Sequence, residues 1–202
     1  MKQEFEMSDL GLMHYFLGVE VQQQSEDISI SQTKYVVDLL KQFRMMPCTT
    51  VATLVALGEK LTKADASSNV DTTKYKSLVG SLMYLTTTRP DIIYVVSLIS
   101  RFMRDLHESH WRAVKRILRY VSGTHNFGIH YSPTDKFELV GYTNFDWAGL
   151  VDDKKSTFGW VFSLGSGAVS WSSKKQATMA LSSIETEYIA AAAASCQDIC
   201  IQ

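Results

Sequence analysis

The chain has 202 residues, which is enough for one large or two small domains and for a substantial buried core. Lys and Arg total 20 while Asp and Glu total 21, so the net charge of -1 excludes a uniformly basic nucleic-acid coat protein but leaves room for a local basic face. The 46% hydrophobic and 20% charged residues are typical of a folded globular protein and exclude a disordered chain.

The cysteines and the apolar runs bear on the cellular compartment. Cys48, Cys196 and Cys200 are widely spread and odd in number, which favours reduced thiols in an intracellular protein. No apolar run approaches the roughly 20 residues of a membrane span, and the acidic first residues lack a signal-peptide core. We therefore expect a protein of the cytoplasm or nucleus that is not secreted and has no membrane partner.

The first predicted elements are a β-hairpin and a short helix. Residues 15–22 and 28–32 are strand-like, and apolar and polar side chains alternate cleanly in the second strand. The helix after them has an apolar stripe formed by Tyr35, Leu39, Leu40 and Phe43. Residues 46–73 show no period, so we expect a long segment that crosses a surface or belongs to a site.

Three helices and then a region of short strands are predicted in the rest of the chain. Apolar residues recur at helical spacing from Tyr75, after Pro90, and between Ser109, a candidate N-cap, and Gly123, a candidate C-cap. Residues 137–142, 157–164 and 168–172 are typical of short strands, and a helix is predicted from about Ser183. The pattern predicts an α+β fold.

The third predicted helix carries a stripe of basic residues. Residues 101–120 contain six basic and two acidic side chains, a local charge of +4. Such a stripe can follow a phosphate backbone, and a solvated helix face is the alternative interpretation. Four of the basic residues lie at positions i, i+3, i+4 and i+7 and share one face: Arg112, Lys115, Arg116 and Arg119.

Acidic residues near the first strand and the last helix suggest a second kind of site. Asn144 and Asp146 end the strand while Glu185 and Glu187 open the helix, so they could share divalent metals. Stabilisation of the helix dipole by acids in the first turn explains the glutamates equally, and the pattern alone favours it.

Two further motifs are expected to be structural. His107 and His110 are three residues apart but lack a third ligand, so we expect a surface or capping role. The pair at residues 152–153 resembles the paired aspartates of polymerases, but its surroundings predict a charged turn between two strands.

Ordered blocks along nearly the whole chain resemble the Pol polyprotein of copia-type retrotransposons. They include Tyr15-Phe16-Leu17-Gly18, Thr88-Arg89-Pro90-Asp91, Lys115-Arg116-Ile117-Leu118-Arg119-Tyr120, Asp146-Trp147-Ala148-Gly149 and Ser170-Trp171-Ser172-Ser173-Lys174-Lys175. The resemblance implies three parts. Residues 1–32 would end the reverse transcriptase palm with a primer-grip-like hairpin, 33–131 would form a helical thumb or connection, and 132–202 would form a truncated ribonuclease H-like domain.

The resemblance also implies a chemistry and the residues that would carry it. In this family, ribonuclease H uses four carboxylates and two Mg²⁺ ions to cut the RNA of an RNA/DNA hybrid. The first carboxylate position is Asn144 in this chain and the second is Glu187. The polymerase aspartates would precede this segment and the last two carboxylates would follow residue 202. We therefore expect neither polymerisation nor cleavage from this chain alone.

Three functions stay open for the chain. The first is a catalytically inactive fragment of Pol whose partners are the rest of the polyprotein and, weakly and without sequence preference, an RNA/DNA hybrid or duplex. The second is a domesticated, non-enzymatic module that binds nucleic acid or protein through the basic helix. The third is a residual ribonuclease H in which Asp146 replaces the lost aspartate.

Overall fold

A computed structural model of the chain describes residues 11–56, 61–62, 70–146, 152 and 154–201. The architecture is α+β, as predicted, with helices and two antiparallel sheets. The first sheet has the strand order β1 (Tyr15–Phe16), β2 (Val19–Gln23), β3 (Ile28–Ser31) and β4 (Gly128–Tyr131). The second sheet has the order β5 (Leu139–Asp146), β6 (Thr157–Leu164) and β7 (Gly167–Lys175).

Five helices connect and cover these sheets in the described part of the chain. They are α1 (Thr33–Gln42), α2 (Thr72–Leu85), α3 (Ile93–Ser100), α4 (Glu108–Gly123) and α5 (Ser183–Ile201). A single 3-10 turn, Pro90–Ile92, leads into α3, because proline suits the first turn of a helix. No helix in these described ranges is both long and apolar enough to cross a membrane.

The N-terminal hairpin is confirmed, but its first strand is broken. Residues 15–22 were predicted as one strand, whereas the structure has β1 and β2 separated by a turn at Leu17 and Gly18. Both turn residues have positive φ, 49° and 82°, which interrupts an extended strand. The hydroxyl of Tyr84 donates to the Leu17 carbonyl and fixes the turn against α2.

The fourth strand of the first sheet comes from a distant part of the chain. β4 pairs with β3 in antiparallel register, and Ile129 lies opposite Ile30 while Gly128 lies opposite Ser31. Sequence reasoning did not predict this strand. A four-residue strand with one buried apolar side chain, Ile129, offers little periodicity.

Helices α1 to α4 enclose the main hydrophobic core. α4 illustrates why, since its apolar residues repeat at helical spacing and turn one stripe inward. The residues of this stripe are almost fully buried: Val114, Ile117, Leu118 and Val121. The opposite side of α4 is therefore left for polar side chains, including the basic stripe.

The start of α4 differs from the prediction. Its N-cap is His107 rather than Ser109, which is buried within the first turn. The backbone N–H of His107 donates to Nδ1 of His110 over 3.0 Å, so the histidine pair has the capping role that was one of the two expectations. A surface position is wrong for His110, which is fully buried and stacks on Phe102 with ring centroids 4.0 Å apart.

A buried arginine ties the turn before α3 to the end of α4. Arg89 is 1% exposed and donates two hydrogen bonds to the carboxylate of Asp91, over 2.8 and 2.7 Å. It also donates to the carbonyl and hydroxyl oxygens of Thr124, both over 2.8 Å. The rings of Tyr120 and Phe127 lie 5.8 and 5.3 Å from its guanidinium carbon. Four of the five N–H donors of the guanidinium are thus bonded.

The second sheet packs between the helical core and α5. On one face, Trp171 donates to the carbonyl of Thr86 over 2.9 Å, and Arg101 donates to the hydroxyl of Thr157 over 3.0 Å. α5 packs across the other face of β5 and β6, where Gln197 donates to Ser170 over 3.4 Å. We call these the α3 face and the α5 face of the sheet.

Candidate nucleic-acid interface and carboxylate positions

The four basic residues of α4 lie together in the structure. With Met45 they line a groove of about 390 Å³. Arg112 and Lys115 are exposed, whereas Arg116 and Arg119 are half-buried. The spacing of these residues along α4 places them on the side opposite the core stripe, so the groove has a cationic wall.

Two of the arginines also hold the segment that precedes α2. Arg116 donates to the carbonyl and hydroxyl of Thr53 over 3.2 and 2.6 Å, and Arg119 donates to the carbonyl of Thr49 over 2.6 Å. The segment around these threonines, which showed no sequence period, therefore lies along α4. These bonds orient both guanidinium groups, and because their acceptors are neutral oxygens, they do not neutralise the positive charge.

The charge of the groove is concentrated on four neighbouring cations. Among the residues that the structure describes, none of the four basic side chains forms an ion pair with Asp or Glu. The ammonium of Lys115 instead lies 5.4 Å from the ring centroid of Trp111. Closely spaced cations without counterions attract a polyanion, and phosphate groups are the ligands that such a cluster fits best.

The carboxylate position at the end of β5 is occupied by a neutral side chain. Asn144 is exposed, and its Oδ1 accepts a hydrogen bond from the backbone N–H of Phe145 over 2.8 Å. Asp146 lies two residues further along the same strand and shares its face. Its Oδ2 accepts a hydrogen bond from the hydroxyl of Tyr94 on α3, over 3.1 Å, so this is the α3 face.

The partner of Asp146 is held in its protonated form. Burial raises the pKa of Tyr94, and the charge of the Asp146 carboxylate and its hydrogen bond raise that pKa further. A protonated phenol is a donor throughout the physiological range. Asp146 therefore joins the second sheet to α3 through one of its two oxygens.

The glutamates lie on the helix that covers the opposite face. Glu187 is exposed beside Tyr188 on α5. This helix packs on the face of the second sheet that we call the α5 face. Asn144 and Glu187 are thus on opposite sides of the sheet. Glu185 accepts a hydrogen bond from the backbone N–H of Leu181 over 2.7 Å, a local role at the start of α5.

The donor set does not fit a two-metal centre. Asn144 is neutral, one oxygen of Asp146 is bound by Tyr94, and Glu187 lies across the sheet. In the ranges that the structure describes, no group of three or more His, Cys, Asp or Glu side chains could hold a metal ion.

The paired aspartates are described only in part. Asp152 is exposed in a turn between β5 and β6, as predicted, and Asp153 lies outside the described residues. Cys48, Cys196 and Cys200 form no disulfide in the structure. Sequence reasoning missed the groove between α3 and the second sheet, although strict alternation along β5 could have shown that Tyr142, Asn144 and Asp146 share one face.

Comparison with known proteins places the chain among retroelement proteins. Residues 1–56 match a family model described as reverse transcriptase (RNA-dependent DNA polymerase). The Pol polyproteins from transposons RE2 of Arabidopsis thaliana and TNT 1-94 of Nicotiana tabacum are each 40% identical, over 93% and 95% of this chain. The chain spans only 13% and 15% of their lengths.

A shorter relative matches most of its own length as well. The uncharacterized mitochondrial protein AtMg00810 of Arabidopsis thaliana is 38% identical over 93% of this chain and 78% of that protein. No solved structure matches the chain. The chain belongs to the family of copia-type retrotransposon Pol polyproteins, of which it represents a segment.

Proposed function

We propose that this segment supplies part of the nucleic-acid-binding surface of a copia-type Pol polyprotein. The groove on α4 would hold an RNA/DNA hybrid or a duplex by its phosphates, weakly and without sequence preference. The observation that carries the proposal is the convergence of four basic side chains in one groove without an acidic partner among the described residues. The family as a whole implies nucleic acid as a partner and divalent metal use in general.

The proposal assigns each part of the segment a place in Pol. Residues 1–32 would close the palm with a primer-grip-like hairpin, 33–131 would form the thumb or connection, and 132–202 the ribonuclease H-like part. The hairpin, the helical core and the three-stranded sheet with α5 support this order. The pairing of β4 with β3 joins the end of the middle part to the hairpin.

The exposed side chains around β1 support a second partner, the rest of the polyprotein. β1 is an edge strand of the first sheet, and large apolar residues beside it are exposed to water. Patches of this kind usually mark contact surfaces. The exposed residues are Leu12, Met13, Tyr15, Phe16 and Leu17.

Neutralising the two exposed cations of the groove tests the proposal. The double variant Arg112→Gln/Lys115→Gln leaves the contacts to Thr49 and Thr53 intact. We expect its affinity for a labelled RNA/DNA hybrid to fall several-fold. We also expect the slope of log affinity against log salt to become shallower by about 2, since each lost phosphate contact removes about 0.9. Fluorescence anisotropy at several salt concentrations measures both.

The matched control removes the same charge elsewhere. Lys41→Gln/Lys76→Gln changes two exposed lysines on α1 and α2 and should leave the salt slope nearly unchanged. Equal slopes for the two double variants would show that the groove is not the site. If neither variant nor the wild type binds the hybrid, the proposed nucleic-acid role of the groove is wrong.

A residual ribonuclease H activity is the second candidate function, and Asp146 on the strand of Asn144 is the observation that favours it. We expect no cleavage of a hybrid by the 202-residue chain with Mg²⁺, and none from Asn144→Asp alone. Tyr94 occupies one oxygen of Asp146, and Glu187 lies across the sheet. A gel assay of end-labelled RNA measures this. Cleavage that disappears with Asp146→Asn would establish the residual activity instead.

A further inference from the structure

A second groove lies between α3 and the α3 face of the second sheet. Its volume is about 380 Å³, which is within the usual range of about 300 to 1,000 Å³ for small-molecule sites. We call it the α3 groove. The lining residues that matter here are Tyr94, Tyr142, Asn144, Asp146, Gly159 and Ser173.

The floor of the α3 groove is bare backbone. Gly159 lies between Asn144 on β5 and Ser173 on β7 in the sheet register. A Cβ atom at Gly159 would be 2.9 Å from the carbonyl oxygen of Ser172, so no larger residue fits without a shift. The missing side chain gives a flat bottom that a planar ring can approach closely.

The sides of the groove carry aromatic rings. Tyr142 is 66% exposed, and Tyr94 is 38% exposed although its hydroxyl is bonded to Asp146. Exposed aromatic rings beside a flat floor provide a stacking surface for an unsaturated ring.

The polar atoms of the groove divide into donors and an acceptor. The Ser173 hydroxyl is buried and has no hydrogen-bond partner among the described residues, and such an unpaired group costs about 1 to 3 kcal/mol. The Oδ1 of Asn144 is used by Phe145, which leaves its NH₂ as a donor. Asp146 keeps its second oxygen as an acceptor among the described residues, and Arg101, which donates to Thr157 opposite Asp146, lies at the same end of the groove.

These features select one class of ligand. An amino group on a planar ring can donate to Asp146, and a ring carbonyl or ring nitrogen can accept from Ser173 or Asn144. Unstacked bases of single strands present this combination of flat faces, donors and acceptors. We propose that the α3 groove binds a single unstacked nucleobase carrying an exocyclic amino group.

The inference deepens the proposed nucleic-acid role but rests on residues distinct from those of α4. The α4 groove would bind the phosphates of any strand, while the α3 groove would distinguish bases. Thymine has no exocyclic amino group, so oligo(dC) and oligo(dA) should bind more tightly than oligo(dT) of the same length. Their phosphates are equal in number, so phosphate contacts in the α4 groove should contribute about equally to the three affinities, and the variants of the α3 groove identify the source of any difference.

Short labelled oligo(dC), oligo(dA) and oligo(dT) test the inference by fluorescence anisotropy. We expect Tyr142→Ala to weaken oligo(dC) binding by about 5-fold or more, the equivalent of about 1 kcal/mol of base stacking. Tyr142→Trp should retain the affinity, because it keeps a stacking surface. Tyr188→Ala, which removes a tyrosine 72% exposed on α5, is the matched control and should change nothing.

A second variant separates binding from folding. Ser173→Ala removes a buried hydroxyl that has no partner among the described residues, so the unfolding midpoint of the variant should stay equal or rise while its binding of oligo(dC) weakens.

Equal affinities of Tyr142→Ala and Tyr188→Ala, or no preference of the wild type for oligo(dC) over oligo(dT), would overturn the inference. The Arg112→Gln/Lys115→Gln variant should lower the affinities for oligo(dC), oligo(dA) and oligo(dT) by the same factor. If it lowers none, the α4 proposal fails and the α3 groove is judged by the base preference alone.

Discussion

Arg89→Leu is expected to lower the free energy of unfolding by about 3 kcal/mol, the lower end for breaking a buried ion pair, because the Arg89 side chain is buried while that of Asp91 is 34% exposed. The guanidinium is buried and makes four hydrogen bonds, two to Asp91 and two to Thr124. Leucine fills part of the volume but leaves the Asp91 carboxylate with only the hydroxyl of Tyr120 as a side-chain donor, and leaves the end of α4 without the donors of Arg89. Urea denaturation followed by circular dichroism measures the change.

Two matched variants identify the cause. Arg104→Leu makes the same change at an exposed position and should alter stability by no more than about 0.5 kcal/mol. Arg89→Lys keeps the charge but loses the planar fork, so it should lie between wild type and Arg89→Leu. If Arg89→Leu is as stable as Arg104→Leu, the buried network does not stabilise the fold.

The same network predicts a dependence on pH. Burial raises the pKa of Asp91, but the hydrogen bonds and charge of Arg89, with a hydrogen bond from Tyr120, outweigh it and hold the pKa below the ordinary value. The folded state therefore binds this proton less readily than the unfolded chain. The contribution of Asp91 to stability is present above the unfolded pKa of about 4 and is lost as the pH falls through the folded pKa. In Arg89→Leu this loss should shrink.

The second large effect concerns Gly128, where β4 meets β3. Gly128→Ala is expected to cost about 3 kcal/mol, the upper end for overpacking, because the obstacles belong to the paired strand. The added methyl group would collide with the Ile30 carbonyl oxygen and lie 2.9 Å from the Cβ of Ser31. Thermal or urea unfolding measures the loss.

The control for Gly128 is the same substitution in open space. Gly80 is exposed within α2, and a Cβ atom there meets no atom within 4 Å. Gly80→Ala should therefore stabilise the protein by about 0.5 to 1 kcal/mol, because alanine is the better helix former. Two identical changes with opposite signs would confirm the β3–β4 pairing. A neutral Gly128→Ala would contradict it.

The sequence predicted the helices well because their signal is local. In α4 the apolar residues face inward and the basic residues face outward, and the members of each set recur three or four residues apart along the chain. The predicted helix boundaries were less accurate where capping residues determine the first residue of the helix. The N-cap of α4 is His107, not Ser109, because the backbone N–H of His107 finds its acceptor in the His110 side chain.

By itself, the sequence determined the α+β class, the order of most helices and strands, the resemblance to copia-type Pol, and the common face of the four basic residues on α4. Only the tertiary structure decided where β4 pairs, how Arg89 is satisfied and which face of the second sheet α5 covers. Asn144 and Glu187 illustrate the reason. Strand alternation tells which side chains share a face, but the side on which a helix packs depends on contacts between residues far apart in sequence, which a local period does not encode.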